Sequence, residues 1–217
     1  MSTRPSGADE SKHAAFSRGA PLLAPGITLY VVRHGQTDWN AIGRYQGHAD
    51  TDLNDTGRAQ ARRNALALRG DCPDFPRLQF VASPLRRTRQ TIEVMLSALG
   101  LDPAAYVTDD RLREIHYGHW EGQRAVDLPR TDPEGLEARR LDPVNWRPRG
   151  GETYVEMKAR TDAWLSTVSR DTLVVTHGGP SRTLRGTLFG LDPPSVPLLE
   201  VPQDRVLVLT CRSMHWL

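Results

Sequence analysis

Two histidines in this chain follow short apolar runs in the same way. Residues 27–32 form a β-branched run that leads into His34-Gly35, and residues 172–176 form a second run that leads into His177-Gly178. Such runs are typical of strands buried in a sheet. The carboxyl ends of parallel strands meet at one edge, where α/β sheets bind ligands. We therefore expect His34 and His177 to face each other at that edge.

The sequence beside and between these histidines carries groups suited to phosphoryl transfer. Arg33 precedes the first histidine, Arg87 lies at a predicted strand-to-helix junction, and Glu114 follows further along the chain. Arginines and helix N-termini are good receptors for phosphate oxygens. A histidine can attack phosphorus, and a carboxylic acid can protonate the leaving group. Two neighbouring arginines should lower the pKa of His34, which favours the neutral imidazole that attack requires.

Alternating strands and helices predict the scaffold for these residues. Strands are expected at 27–32, 78–82, 172–176 and 206–209, and helices at 54–69, 83–99, 153–169 and 178–189. Asn54 is a predicted helix N-cap, Gly70 a helix stop, and Ser83-Pro84 a helix start. This order predicts an α/β fold, a three-layer α/β/α sandwich with a mostly parallel central sheet. Residues 26–217 are expected to form one domain after a disordered tail over 1–25, and an irregular cover segment (109–151) is expected to lie over the site.

Composition restricts the function classes. The chain has 217 residues and a formal net charge of +2, which is too small to indicate a nucleic-acid partner. Its two cysteines, Cys72 and Cys211, define no disulfide framework. No segment has the length and apolar character of a signal peptide or a membrane helix, so we expect a cytoplasmic protein with no membrane partner. Nothing in the sequence decides whether it forms a homodimer.

Several ordered blocks resemble the histidine phosphatase superfamily, the phosphoglycerate mutase-like proteins. The first, RHGQTDWN, begins at Arg33, and the others follow in the order found in that family. They are GRYQGH at 43–48, SPLRRT at 83–88, LREIHYGHWEG at 112–122, GGET at 150–153 and VTHGG at 175–179. Together they span nearly the whole chain after residue 27.

The resemblance implies a role for each matched residue. His34 would be the nucleophile that is phosphorylated, and Glu114 the general acid and then the base that activates water. Arg33, Arg87, His177, Asn40 and Gly178 would bind the phosphoryl group. Gln46 and Gly47 would touch the substrate, a small phosphorylated metabolite. No cofactor or metal is implied.

Other interpretations remain open at this stage. The WEG sequence at 120–122 and the lack of an arginine-rich insert favour a phosphatase over a phosphoglycerate mutase. A non-catalytic phosphate-binding regulatory module would be expected to have lost the nucleophile or the acid. His116 and His119 have a loose zinc-like spacing with no third ligand. We expect Arg139-Arg140 and Arg147-Pro148-Arg149 to lie in a solvated loop, and the alternative is that they help to bind a second anionic group.

Overall fold

A computed structural model describes residues 23–217. Residues 1–22 of the predicted tail therefore lie outside the described residues. The strands are β1 (Leu29–Arg33), β2 (Gln79–Ala82), β3 (Val107–Thr108), β4 (Thr172–Thr176), β5 (Val206–Leu209) and β6 (Met214–Trp216). The α-helices are α1 (Asp38–Ala41), α2 (Asp55–Asp71), α3 (Arg86–Leu99), α4 (Leu128–Thr131), α5 (Pro133–Leu141), α6 (Tyr154–Leu165) and α7 (Gly178–Phe189). No helix in this part of the chain is long and apolar enough to cross a membrane.

The six strands form one sheet in the order β3-β2-β4-β1-β5-β6. β1 pairs with β4 in parallel, with Arg33 opposite Thr176, and β2 and β3 continue the parallel part. β5 is antiparallel to β1, and β6 is antiparallel to β5. The predicted mostly parallel sheet is confirmed. Because β1 and β4 are in register, the residues that follow them emerge side by side.

Two apolar cores cover the two faces of the sheet. Alternate strand residues such as Val32 and Val175 pack with α2 and α3 on one face. Their neighbours Val31 and Val174 pack with α6 and α7 on the other face. Successive strand residues point to opposite faces, so strands buried on both sides are apolar throughout. The predicted three-layer α/β/α sandwich is confirmed.

Several predicted boundaries are wrong for identifiable reasons. Ser83-Pro84 does not begin α3, which starts at Arg86, and the Arg86 N–H donates instead to Asp50 Oδ1 at 2.6 Å. A carboxylate from a distant loop thus replaces the expected local cap. α2 passes through Gly70 and ends at Asp71, and α6 ends at Leu165. The short strands β3 and β6 were not predicted, since two or three residues carry no detectable alternation.

The cover segment is more regular than the sequence prediction. It contains α4 and α5 as well as short 3-10 turns. Asp132 caps α5 by accepting from the Gly135 N–H at 3.0 Å, with Pro133 at the first helical position. The same carboxylate accepts from Trp120 Nε1 at 2.6 Å, so one side chain ties α5 to the buried Trp120. The Asp132-Pro133 pair is a helix-start signal, although no helix was predicted in this segment.

Two glycines of α2 should respond oppositely to substitution by alanine. A Cβ on Gly57 would lie 2.2 Å from the Gln36 carbonyl oxygen, whereas a Cβ on Gly70 would meet nothing within 4 Å. Gly57→Ala should lower the free energy of unfolding by about 1–3 kcal/mol through overpacking. Gly70→Ala should raise it by about 0.5–1 kcal/mol through helix propensity. Urea unfolding of both variants tests the pair; equal effects would contradict the close approach.

Candidate active site

One cavity of about 230 Å³ lies at the carboxyl edge of the parallel strands. Eight of the nine residues proposed from the sequence line it: Arg33, His34, Asn40, Gln46, Gly47, Arg87, Glu114 and Gly178. The ninth, His177, lies against His34 with ring centroids 5.2 Å apart. The parallel register of β1 and β4 therefore brings the two imidazoles together, as the paired His-Gly patterns predicted.

The hydrogen bonds of His34 define its tautomer. Nδ1 lies 2.8 Å from the Gly35 carbonyl oxygen, which can only accept, so Nδ1 carries the proton. Nε2 lies 3.3 Å from Arg87 Nε, which can only donate, so Nε2 presents its lone pair. The two contacts independently require the same tautomer. An imidazole whose Nε2 carries no proton has a lone pair there and can act as a nucleophile.

The surroundings of His34 also keep it uncharged. Burial is the largest cause and lowers its pKa well below the ordinary 6.5, and the charges of Arg87 and Arg33 lower it further. The Gly35 carbonyl opposes this effect through its hydrogen bond. The side chain is 2% exposed, so solvent does little to screen the arginines. At neutral pH the ring is therefore neutral.

Backbone carbonyls hold two arginines of the cavity, Arg87 and Arg33. Arg87 donates from Nη1 to Ala49 O and from Nη2 to Gly47 O, each at 2.8 Å. Arg33 donates from Nη1 to Val201 O at 2.8 Å, and its Nε is buried without a partner. Burial lowers the pKa of Arg87 to about 10, which leaves it charged at neutral pH. Carbonyl acceptors fix the guanidiniums without neutralising them.

His177 is oriented by Ser83, a contact that sequence reasoning missed. Its Nε2 lies 2.8 Å from Ser83 Oγ, and its Nδ1 is buried with no partner. Burial, with Arg87 next, lowers its pKa well below 6.5, so the ring is neutral. If the hydroxyl donates to Nε2, Nδ1 carries a free N–H donor. Ser83 was interpreted only as a helix cap, and its match to the SPLRRT block was the available signal.

Glu114 is held at the N-terminus of α7. Its Oε1 accepts from the N–H groups of Gly179 at 2.9 Å and Ile115 at 3.0 Å. A Cβ on Gly179 would lie 2.4 Å from that oxygen, so only glycine admits the carboxylate. The Glu114 carbonyl in turn accepts from His48 Nε2 at 2.9 Å and Arg160 Nη2 at 3.1 Å. Hydrogen bonds therefore fix both the side-chain carboxylate and the backbone carbonyl of Glu114.

Asn40, Gln46 and Gly47 form one wall of the cavity. Asn40 Oδ1 accepts from Gln203 Nε2 at 3.0 Å, and Gln46 Oε1 accepts from Thr37 Oγ1 at 3.1 Å. Gly47 has φ +50°, and a Cβ there would lie 2.0 Å from Glu121 Oε1. These bonds occupy the amide oxygens, which leaves the amide N–H groups as the donors this wall can offer a ligand.

Six further lining residues were not proposed as site residues from the sequence: Gly43, Arg44, Tyr45, Tyr117, Ala125 and Arg182. The two tyrosine rings pack with centroids 4.7 Å apart, and Arg139 Nη1 donates to Tyr45 Oη at 2.8 Å. The expectation that Arg139 is solvated is wrong, because it lies against the rings of Tyr45, Tyr117, Trp120 and Trp146. Arg182 lies one helical turn after Gly178, a spacing that could have revealed it.

The described residues contain no group of three or more His, Cys, Asp or Glu side chains arranged to hold a metal ion. His116 and His119 do not converge. His119 Nε2 contacts Asp132 Oδ2 at 2.8 Å, whereas His116 Nδ1 accepts from the Gly118 N–H at 2.9 Å. The two imidazoles are therefore engaged in separate parts of the cover segment.

Comparison with known proteins agrees with this geometry. The family model of the histidine phosphatase superfamily (branch 1) matches residues 29–217. Glucosyl-3-phosphoglycerate phosphatase of Mycolicibacterium vanbaalenii is 36% identical over 183 residues, covering 79% of this chain and 78% of its own. "Probable phosphoglycerate mutase GpmB" of Erwinia tasmaniensis is 36% identical over 171 residues, 76% of each chain. A mycobacterial glucosyl-3-phosphoglycerate phosphatase solved with VO3 superposes with a TM-score of 0.74 at 31% identity, covering 88% of this chain and 96% of its own. The chain belongs to the histidine phosphatase superfamily, branch 1.

Proposed function

We propose that this chain hydrolyses small phosphomonoesters through a phosphohistidine formed on His34 Nε2. The observation that carries the proposal is the neutral, buried imidazole whose Nε2 lone pair lies beside Arg87 in the cavity that Glu114 also lines. A cavity of about 230 Å³ is smaller than the ~300–1,000 Å³ of sites for drug-sized ligands, which favours small metabolites. The phosphatase named among the relatives supports hydrolysis.

The first chemical step forms a nitrogen–phosphorus bond and breaks the ester bond. The Nε2 lone pair attacks phosphorus while Glu114 gives its proton to the departing ester oxygen. Arg33 and Arg87 neutralise the phosphoryl oxygens, and the unpartnered His177 Nδ1 donates a hydrogen bond to one of them. The Gly35 carbonyl stabilises Nδ1–H as the ring becomes positively charged.

The second step returns His34 to its starting state. Glu114, now a carboxylate, takes a proton from water, the water oxygen attacks phosphorus, and the nitrogen–phosphorus bond breaks to release phosphate. The arginines supply the charge stabilisation, so we propose that no metal ion is required. A mutase would return the phosphoryl group to a sugar acid instead of to water, and the mutase named among the relatives makes that transfer the second candidate.

His34→Ala should abolish phosphate release, by at least about 10³-fold, because no other group in the cavity can form the covalent intermediate. The assay is phosphate release from a panel of phosphomonoesters with a chelator present, and urea unfolding serves as the control for folding. Activity that disappears in the chelator, or that survives in the variant, would contradict the mechanism. Isomerisation of 3-phosphoglycerate faster than its hydrolysis would establish the mutase instead.

Glu114→Gln should separate the two roles of the carboxyl group. It should slow the first turnover of alkyl phosphates by about 10²–10⁴-fold, since their leaving groups need a proton, and slow p-nitrophenyl phosphate far less. With the aryl ester the phosphohistidine should then accumulate, because water is no longer activated. Rapid-quench kinetics measures both effects. An equal loss for alkyl and aryl esters would show that Glu114 is not the acid.

The neutral histidines predict a dependence of stability on pH. Because the pKa values of His34 and His177 in the folded protein lie well below 6.5, the unfolded chain binds more protons as the pH falls below about 6.5. The free energy of unfolding should therefore decrease toward those lower pKa values, by up to about 1.4 kcal/mol per pH unit for each histidine. Urea unfolding between about pH 7.5 and pH 5.5 measures the slope. His177→Gln should reduce it, and an unchanged slope would contradict a depressed pKa for His177.

A further inference from the structure

Among the arginines that line the cavity, Arg44 is the one whose side chain donates no hydrogen bond to a described residue. It lines the same cavity as His34, yet no described residue offers its side chain a hydrogen-bond acceptor, and its Nε is buried without a partner. By contrast, Arg87, Arg33 and Arg182 each donate to backbone carbonyls. A buried donor without a partner costs free energy unless a ligand satisfies it.

The position of Arg44 is fixed in spite of its unused donors. Its Cζ lies 5.2 Å from the ring centroid of Trp39, a cation–π contact, and its backbone N–H donates to the Trp39 carbonyl at 2.8 Å. The strand-like bridge to Arg124 and the bond from the Ala125 N–H to Gly43 O at 2.9 Å hold the same segment against the cover segment. The guanidinium is therefore preorganised, which lowers the cost of binding an anion.

No acidic side chain neutralises Arg44 from within the described chain. Arg124 holds the Asp127 carboxylate with bonds of 2.8 and 3.1 Å and is the main cause that lowers its pKa, to which the charge of Arg44 adds only a small effect. The cavity as a whole has an excess of positive charge. Its four guanidiniums outweigh the charge of Glu114 together with that of a dianionic phosphoryl group. A substrate with a second anion would balance this excess.

We propose that Arg44 binds a second anionic group, a carboxylate or a second phosphate, on the organic part of the phosphomonoester. The proposal rests on the hydrolysis proposed above and specifies its substrate class. Arg33 and Arg87 bind the phosphoryl group beside His34, while Arg44 offers planar, paired N–H donors that match the oxygens of a carboxylate or phosphate. Esters with an uncharged organic part leave this guanidinium unsatisfied and bind less tightly.

Pairs of esters that differ in one anion test the proposal. O-phosphoserine and phosphoethanolamine differ by a carboxylate, and fructose 1,6-bisphosphate and fructose 6-phosphate differ by a phosphate. The wild-type protein should prefer the more anionic member of one pair in kcat/KM by about 10- to 100-fold, the usual value of a charged hydrogen bond. The responsive pair identifies the anion. Arg44→Gln should reduce the preference toward one, whereas Arg62→Gln, on the exposed side of α2, should keep it.

Binding measurements separate this proposal from the proposed hydrolysis. Calorimetry in the His34→Ala background measures the ratio of Kd values within each pair. Adding Arg44→Gln should bring the ratio for the responsive pair close to one, whether or not the wild type hydrolyses these esters. Hydrolysis fails if the wild type releases no phosphate from any ester, p-nitrophenyl phosphate included. The second-anion subsite is overturned if no pair shows a preference, or if Arg44→Gln leaves the ratio of Kd values unchanged.

Discussion

The parallel register of β1 and β4 is the constraint on which the site depends. Pairing of Arg33 with Thr176 places the next residue of each strand, His34 and His177, at one edge with ring centroids 5.2 Å apart. A slip of one residue in the pairing of β1 with β4 would turn the side chains of the shifted strand to the opposite face of the sheet and disrupt both cores. The apolar packing that stabilises the sheet therefore also fixes the distance between the imidazoles.

The positive charge of the cavity depends on which acceptors the arginine side chains contact. Arg87, Arg33 and Arg182 donate to backbone carbonyls, which hold the guanidiniums without cancelling their charge. Carboxylate partners would have neutralised the cavity before a phosphoryl group could enter. The same charges, together with burial, keep His34 neutral and nucleophilic. One arrangement thus supports anion binding and the proposed attack.

Much of this fold and site could be predicted from the sequence. The two His-Gly patterns follow buried apolar strands, and strands of that kind belong to parallel sheets, so the meeting of His34 and His177 was foreseeable. The motif blocks located Arg87 and Glu114 in the cavity. These patterns are local in sequence. They predict the site because the strands that carry the histidines pair in register in the folded sheet.

What could not be predicted depends on contacts between distant segments. Capping of α3 by Asp50 and the contact between Ser83 and His177 join residues that no local pattern relates. The enclosure of Arg139 by aromatic rings likewise arises from the packing of α5 against the loop that carries Tyr45. In an arginine-rich chain, only the position of Arg44 in the folded cavity distinguishes it from a solvated surface arginine.

The protonation state of the His34 ring decides whether this residue can attack phosphorus as proposed. Long-range proton–nitrogen NMR correlations of the nitrogen-labelled protein report which ring nitrogen carries hydrogen. We expect a neutral ring at neutral pH with the proton on Nδ1 and none on Nε2, unchanged as the pH falls through 6.5. A ring that is protonated on Nε2, or that becomes an imidazolium near pH 6.5, would contradict this expectation.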